Sequence, residues 1–228
     1  MGGLVVILRK PGKRSFGFLM GITAGVMISL SFLELVNEAW KLQGVWTATI
    51  GFGAGAFFML LIDMTLPHIR FGEKEIRFPE ISAGEEQTLE GSTPGRHRHR
   101  FARHHSEIHD PKLFKTGMLL AIGITIHNLP EGIAIGAGYM HTPQFGYFIA
   151  LAILLHNIPE GIATALPLCQ SGVTKWTAFR TAFFSGLVEP IGALVAAIFL
   201  STFQVMVPFA LAFAGGVMMF ITLDELIP

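Results

Sequence analysis

Two short stretches of this sequence place metal-binding types of side chain inside apolar segments. The first is HNLPEG, which begins at His127, and the second is HNIPEG, which begins at His156. In each stretch a helix would put the histidine and the glutamate four residues later on one face, about a turn apart. These four side chains are His127, Glu131, His156 and Glu160. Imidazole nitrogen and carboxylate oxygen together suit zinc, iron or manganese better than calcium or magnesium.

A third acidic position resembles the first two. Glu189 stands before Pro190 in the middle of another apolar segment, GLVEPIG. A carboxylate at the depth of the bilayer centre costs several kcal/mol unless it is paired or neutralised. Proline also removes a helix hydrogen bond and leaves a free carbonyl, which is tolerated only beside protein or a watery cavity. We therefore predict that Glu189 is a further metal ligand.

The segments that carry these residues are apolar enough to cross a membrane. The chain is 51% hydrophobic and 14% charged, whereas soluble domains carry about 25% charged residues. The sequence predicts an all-α membrane protein with six complete spanning helices, each near the roughly 20 residues that a bilayer requires. These helices are expected at 16–40, 45–67, 113–139, 145–167, 178–203 and 207–228. Residues 2–8 are too few to cross, and we interpret them as the end of a helix whose beginning is absent from the chain.

Basic and non-basic loops alternate along the chain. Nine of the 16 lysine and arginine residues lie between residues 68 and 115, and the loops at 141–144 and 201–204 have none. By the positive-inside rule the basic loops are cytoplasmic, which predicts a multi-pass protein of the cell membrane. The loop at 69–112 is polar and is expected to be disordered. It is either a solvated basic loop or a weak metal-binding tract through its histidines, which are His97, His99, His104, His105 and His109.

The motifs HNLPEG, HNIPEG and GLVEP resemble the fourth, fifth and sixth transmembrane helices of the ZIP (Zrt/Irt-like) metal transporters, nearest to the bacterial and GufA-like branch. The resemblance covers essentially the whole chain. It implies that the main metal is held by His127, Glu131, His156, Glu160 and Glu189. It also implies a second, adjacent metal position formed by Asn128 and Asn157, with Glu131 and Glu160 bridging.

The same resemblance implies transport of zinc, iron, manganese or cadmium into the cytoplasm, and frequent homodimers. The family has eight helices, of which six complete ones are predicted here. An internal likeness fits the inverted repeat of this family, because residues 24–35 align with residues 215–226 while the loop charges make the two segments run in opposite directions. The acids near the membrane faces are candidate pathway residues or, equally, ordinary interfacial polar groups: Glu34, Asp63, Asp224 and Glu225.

Two other functions compete with transport of metal. An intramembrane zinc hydrolase would use the same ligand types, but no separate catalytic base stands out and both motif helices offer the same ligand set. A proton-driven carrier of organic solutes would need a roomier pocket than the small residues of the motif helices allow. We therefore predict a transporter, not an enzyme, whose partners are divalent metal ions and the lipid bilayer, with no nucleic acid. The single cysteine, Cys169, excludes a disulfide within the chain.

Overall fold

The computed structural model describes residues 2–8, 12–65 and 108–226, and within these ranges the chain is helical without strands. The helices are α1 (Gly2–Leu8), α2 (Lys13–Ser29), α3 (Asn37–Thr65), α4 (Pro111–His141), α5 (Pro143–Gln170), α6 (Lys175–Gly186), α7 (Val188–Thr202) and α8 (Val207–Ile221). A first π-helical segment, Leu30–Val36, follows α2, and a second one, Thr222–Leu226, follows α8. The predicted all-α class is confirmed.

Five helical stretches of the described residues are long and apolar enough to cross a membrane, and the first of them turns back on itself. This stretch, Arg14–Thr65, has 52 residues and contains Gly44 in a non-helical conformation with φ 86°, which glycine adopts at little cost. The rings of Phe32 and Phe52 lie 5.6 Å apart, whereas a continuous helix would separate them by about 30 Å. The chain therefore reverses at Gly44, and the five stretches make the six crossings that the sequence predicts.

The fifth crossing differs from its prediction. Residues 178–203 were expected to form one helix, but α6 ends at Gly186 and α7 begins at Val188. Pro190 lacks the amide hydrogen that would bond to the carbonyl of Gly186, so the backbone ladder is interrupted there. The break puts Glu189 in the first turn of α7.

The two motif-bearing helices form a hairpin with defined ends. Asp110 caps α4 by accepting hydrogen bonds from the amides of Lys112 and Leu113. Thr142 lies between the helices in an extended conformation, and its hydroxyl accepts from the amide of Phe145. Both helices begin with a proline, which fits the first helical position because its missing amide hydrogen is not needed there. The hairpin holds the two motifs side by side.

The helices pack as two groups. In the group that we call the frame helices, which comprises α2, α3, α8 and both π segments, a Cβ at Gly55 would overlap the carbonyl of Phe213 on α8. In the other group, the motif helices α1 and α4–α7, a Cβ at Gly132 would overlap the carbonyl of Glu189 on α7. Each group is therefore tightly packed within itself. The groups meet mainly where α4 contacts α8 and α2 contacts α5.

A cluster of buried apolar residues joins the two groups on one side of the motifs. The frame contributes Met27, Leu30, Leu35, Ala39, Ala48, Val207, Leu211, Ala212, Ala214 and Met218, and the motif helices contribute Ala134, Ala137, Ile149, Ile153 and Leu200. Ala134 follows Glu131 by about one turn on α4, and Ile153 precedes His156 by about one turn on α5. This cluster, which we call the apolar seal, therefore lies between the motifs and the turn at Thr142.

The two π segments occupy matching places in the inverted repeat. The alignment of residues 24–35 with 215–226 pairs Ser31 with Thr222, and it pairs residues 31–35 of the first π segment with the whole of the second. Both hydroxyl-bearing side chains are fully buried. A wide π turn is uncommon and often lies at a functional site, and its recurrence here shows that the two halves share a local backbone feature as well as sequence.

Candidate metal centre

The hairpin of α4 and α5 buries the motif side chains midway along both helices. The exposed fraction is 5% for His127, 1% for Asn128, 0% for Glu131, 2% for His156 and 5% for Glu160. Polar and charged side chains are rarely buried so completely unless they are paired or bind a ligand. Their burial therefore requires a compensating interaction.

Three of these side chains converge on one point. Nε2 of His156 lies 3.0 Å from Oε1 of Glu131 and 3.0 Å from Oε1 of Glu160. One ligand atom from each residue lies within 4.8 Å of the other two. A tetrahedral metal site with bonds of about 2.1 Å needs neighbouring ligand atoms about 3.4 Å apart. The trio, which we call the carboxylate–imidazole cluster, can thus enclose a metal ion after small side-chain rotations.

The charge of this cluster has no basic residue to balance it nearby in the sequence. No lysine or arginine occurs between residues 116 and 174 or between residues 181 and 228. Glu131 and Glu160 both contact the imidazole of His156. A divalent cation would supply the positive charge that two buried carboxylates need.

The two asparagines are oriented in the same way by different partners. The amide nitrogen of Asn128 donates a hydrogen bond to the backbone carbonyl of Ser185 at 3.1 Å, and that of Asn157 donates to the carboxylate of Glu189. Each side chain thereby uses its donor half. Both Oδ1 atoms are buried without a hydrogen-bond partner, and a carbonyl oxygen of this kind is a ligand for a cation.

The break between α6 and α7 brings Glu189 and Ser185 to the motifs. The contact at Gly132 places the backbone of Glu189 directly against α4. A cavity of about 200 Å³ lies beside these groups, and its polar lining includes Asn128, Asn157, Glu160 and Ser185. The carbonyl of Ser185 was not foreseen from the sequence, because a backbone acceptor has no side-chain signature; the helix break caused by Pro190 is the signal that could have indicated it.

The remaining predicted residues are distributed around this centre. His127 interacts electrostatically with Glu160 and His156, and also with Asp63 and Asp224 on the frame helices. Asp63 and Asp224, which were predicted as pathway residues, thus lie near enough to the motif to act on it electrostatically. Glu34 is partly buried in the first π segment and lines a different cavity of about 440 Å³ between α2 and α5, so it does not join the cluster.

The predicted loop site falls almost entirely outside the described residues. His97, His99, His104 and His105 lie outside them, and of the five histidines His109 alone is described. It is exposed, and its backbone amide donates to the carbonyl of Ser171 at 2.8 Å. Glu225 lies in the second π segment, and its side chain is outside the described part of the structure.

Comparison with known proteins identifies the family. A family model described as ZIP zinc transporter matches residues 1–228. The zinc transporter ZTP29 of Arabidopsis thaliana is 35% identical over an alignment of 235 positions, which covers all of this chain and 79% of that protein. The zinc transporters ZupT of Corynebacterium aurimucosum and of Oceanobacillus iheyensis are each 35% identical, and the matches cover all of this chain and 80% and 82% of theirs.

The match to relatives extends across the helices that carry the buried centre. The family explains why a carboxylate–imidazole cluster stands inside apolar helices, since a protein that moves a metal ion through a membrane needs ligands there. The hydrolase alternative gains no support from these comparisons. The chain belongs to the ZIP family of zinc transporters, and it is accordingly a membrane transporter of divalent metal ions and not an enzyme.

Proposed function

We propose that this protein carries zinc ions across the membrane by binding each ion at the carboxylate–imidazole cluster. The observation that carries the proposal is the convergence of Glu131, His156 and Glu160 from two helices. His127 and Glu189 complete the ligand set. The names of the relatives, all zinc transporters, support zinc as cargo. Iron, manganese and cadmium are alternative cargoes, because imidazole and carboxylate bind them as well.

A second metal position adjoins the first. The free Oδ1 atoms of Asn128 and Asn157 support it, because each amide is held by a partner that engages only its nitrogen. Glu131 and Glu160 bridge the two positions, so that an ion in one alters the charge available to the other. The cavity of about 200 Å³ beside the asparagines has room for several water molecules at about 30 Å³ each, and a partly hydrated ion can occupy it.

The ion reaches the two sides of the membrane in turn. The apolar seal closes the path between the cluster and the turn at Thr142. On the opposite side of the cluster, Asp63 and Asp224 act on His127. Their carboxylates provide successive binding points for a departing cation. The conformation described here therefore corresponds to a state closed at the Thr142 end. That Glu34 and Glu225 belong to the ion pathway stays a prediction.

The zinc ions are transported into the cytoplasm. The abundance of lysine and arginine between residues 68 and 115 supports a cytoplasmic location for that loop in the cell membrane. The ends of α3 and α8 that carry Asp63 and Asp224 then face the cytoplasm as well. A homodimer is supported by the ZIP resemblance, in which dimers are frequent. The histidines of the loop at 69–112 stay a proposal for weak metal binding.

The decisive experiment is uptake of mass-tagged zinc by cells that express the protein. We expect the wild type to accumulate zinc and the double variant Glu131→Gln/Glu160→Gln to accumulate none above background, at equal amounts of protein in the membrane. A multi-metal mixture ranks iron, manganese and cadmium against zinc. Zinc binding by the purified protein without any metal accumulation in cells would overturn transport and favour the hydrolase.

A further inference from the structure

A contact between a histidine and a glutamate connects the two helix groups above the apolar seal. His141 is the last residue of α4, and its Nε2 lies 3.1 Å from Oε1 of Glu38 on the frame helices. The other oxygen of Glu38 is 2.9 Å from Nζ of Lys41. The two side chains of the His141–Glu38 pair are each 21% exposed. The pair therefore lies at the Thr142 end of the helices, where it is partly exposed to solvent.

The surroundings of His141 hold its ring in place. The imidazole packs edge-on against Phe145, with centroids 5.6 Å apart and planes at 86°. A cavity of about 300 Å³ beside it has the neutral polar side chains of Gln43 and Gln204 in its lining. Among the residues that the structure describes, the charged groups that face the imidazole are thus Glu38 and, next to it, Lys41, whereas α5 and α8 present neutral residues there.

The position of the pair matters because the helix groups must separate at this end for the ion to enter. Alanine and isoleucine side chains of the apolar seal lie directly beneath, and they are fully buried between the groups. Opening this end requires the seal to part, and the His141–Glu38 contact spans the parting surface. Any attraction between the two residues therefore stabilises the closed state relative to the open one.

We propose that the contact between Glu38 and His141 is a latch that holds the outer end of the transporter closed. The inference rests on the alternating access proposed above. Nε2 of His141 is within hydrogen-bonding distance of the Glu38 carboxylate, and this contact must break when the two groups part. Lys41 lies on the same helical stretch as Glu38 and so does not connect the two groups.

The test measures how readily the seal opens, without metal. In a Cys169→Ser background, Ile153→Cys places a thiol in the fully buried seal. Its labelling rate by an impermeant thiol reagent in intact cells is divided by that of a separate Val205→Cys protein, whose position is 70% exposed at the same end. This ratio corrects for differences in reagent activity between measurements. Inside-out vesicles provide the same measurement if Val205→Cys is not labelled from outside.

We expect Glu38→Ala and His141→Ala to raise the labelling ratio about two- to fivefold, as for the loss of a partly exposed side-chain pair. Lys41→Ala is the matched control and should leave the ratio unchanged. The exchange Glu38→His/His141→Glu should restore the wild-type ratio, which separates loss of the latch from misfolding. Equal ratios in wild type and both single variants would overturn the latch. Zinc uptake is not part of the readout, so failure of the proposed cargo would leave this result interpretable.

Discussion

Nε2 of His156 on α5 lies 3.0 Å from Oε1 of Glu131 on α4, and this contact exists only because the two helices pack at close range. Glycines make that packing possible near the turn: a Cβ at Gly146 would collide with the backbone of Tyr139, and one at Gly138 with the side chain of Ile149. The metal centre thus depends on backbone contact well away from the ligands themselves.

Replacing Glu131 by glutamine tests the charge of the cluster with little change of shape. The amide keeps a hydrogen-bonding oxygen near His156 but removes one of the two buried negative charges. We expect the initial rate of zinc uptake to fall by more than about tenfold, since the loss of even an outer partner of a metal ligand costs tenfold or more. Ser201→Ala, at an exposed position far along α7, is the control. Uptake within twofold of the wild type for Glu131→Gln would contradict the assignment.

Substitution of the asparagines separates metal preference from folding. Asn157→Ala removes one cation ligand and also releases the Glu189 carboxylate from its hydrogen bond. Asn128→Ala removes another ligand and leaves the carbonyl of Ser185 without this donor. We expect both variants to reach the membrane and to alter the ranking of zinc against manganese or cadmium in a competition assay. The exposed amide variant Asn37→Ala should preserve the ranking, and an unaltered ranking in all three would exclude the second metal position.

Metal binding should weaken in acid. Imidazole and carboxylate ligands must be free of protons to bind a metal, so protons compete with zinc at the centre. For each proton displaced, affinity falls about tenfold per pH unit below the range in which the ligand is deprotonated. Titration of the purified protein with zinc in two buffers of different ionisation enthalpy counts the protons released. Zero release between pH 6 and pH 7.5 would show that the centre is already deprotonated there.

Two glycines on α3, two residues apart, should respond oppositely to alanine. At Gly55 a Cβ would overlap the carbonyl of Phe213, whereas at Gly53 nothing lies within 4 Å. Overpacking costs about 1–3 kcal/mol or more, but alanine at an open helical position is favoured over glycine by up to about 1 kcal/mol. The thermal midpoint in detergent should therefore drop for Gly55→Ala and hold or rise for Gly53→Ala. Equal midpoints would mean that α3 and α8 are packed less closely than described.

The helical class and the membrane-crossing segments could be predicted from the sequence because hydrophobic length alone specifies them. Details that depend on single backbone groups could not be predicted in this way. The reversal at Gly44 takes one non-helical residue in place of the expected loop. The break after Gly186 follows from Pro190 by the same rule that we applied to the prolines of the two motifs, but the sequence alone did not indicate that this helix would separate into two.

At the candidate centre, the spacing of each motif predicted a shared face, and the 3.0 Å contact between His156 and Glu160 within α5 agrees with it. The contact between His156 and Glu131 required the packing of two helices, which spacing within one helix does not specify. The involvement of the Ser185 carbonyl could not be predicted, because every residue has a backbone carbonyl. The roles of the individual ligands stay predictions until metal binding is measured.

The apolar seal should determine how the rate of the proposed transport cycle depends on temperature. Parting it exposes buried alanine, leucine and isoleucine surface to water, and each Å² of apolar surface so exposed raises the heat capacity by about 0.45 cal/K/mol. In the proposed transport cycle, the step that opens the Thr142 end would therefore have an activation enthalpy that changes with temperature. A plot of the logarithm of the zinc uptake rate against inverse temperature should be curved wherever this step limits turnover, and it should straighten when polar substitutions such as Ile153→Thr let water into the seal.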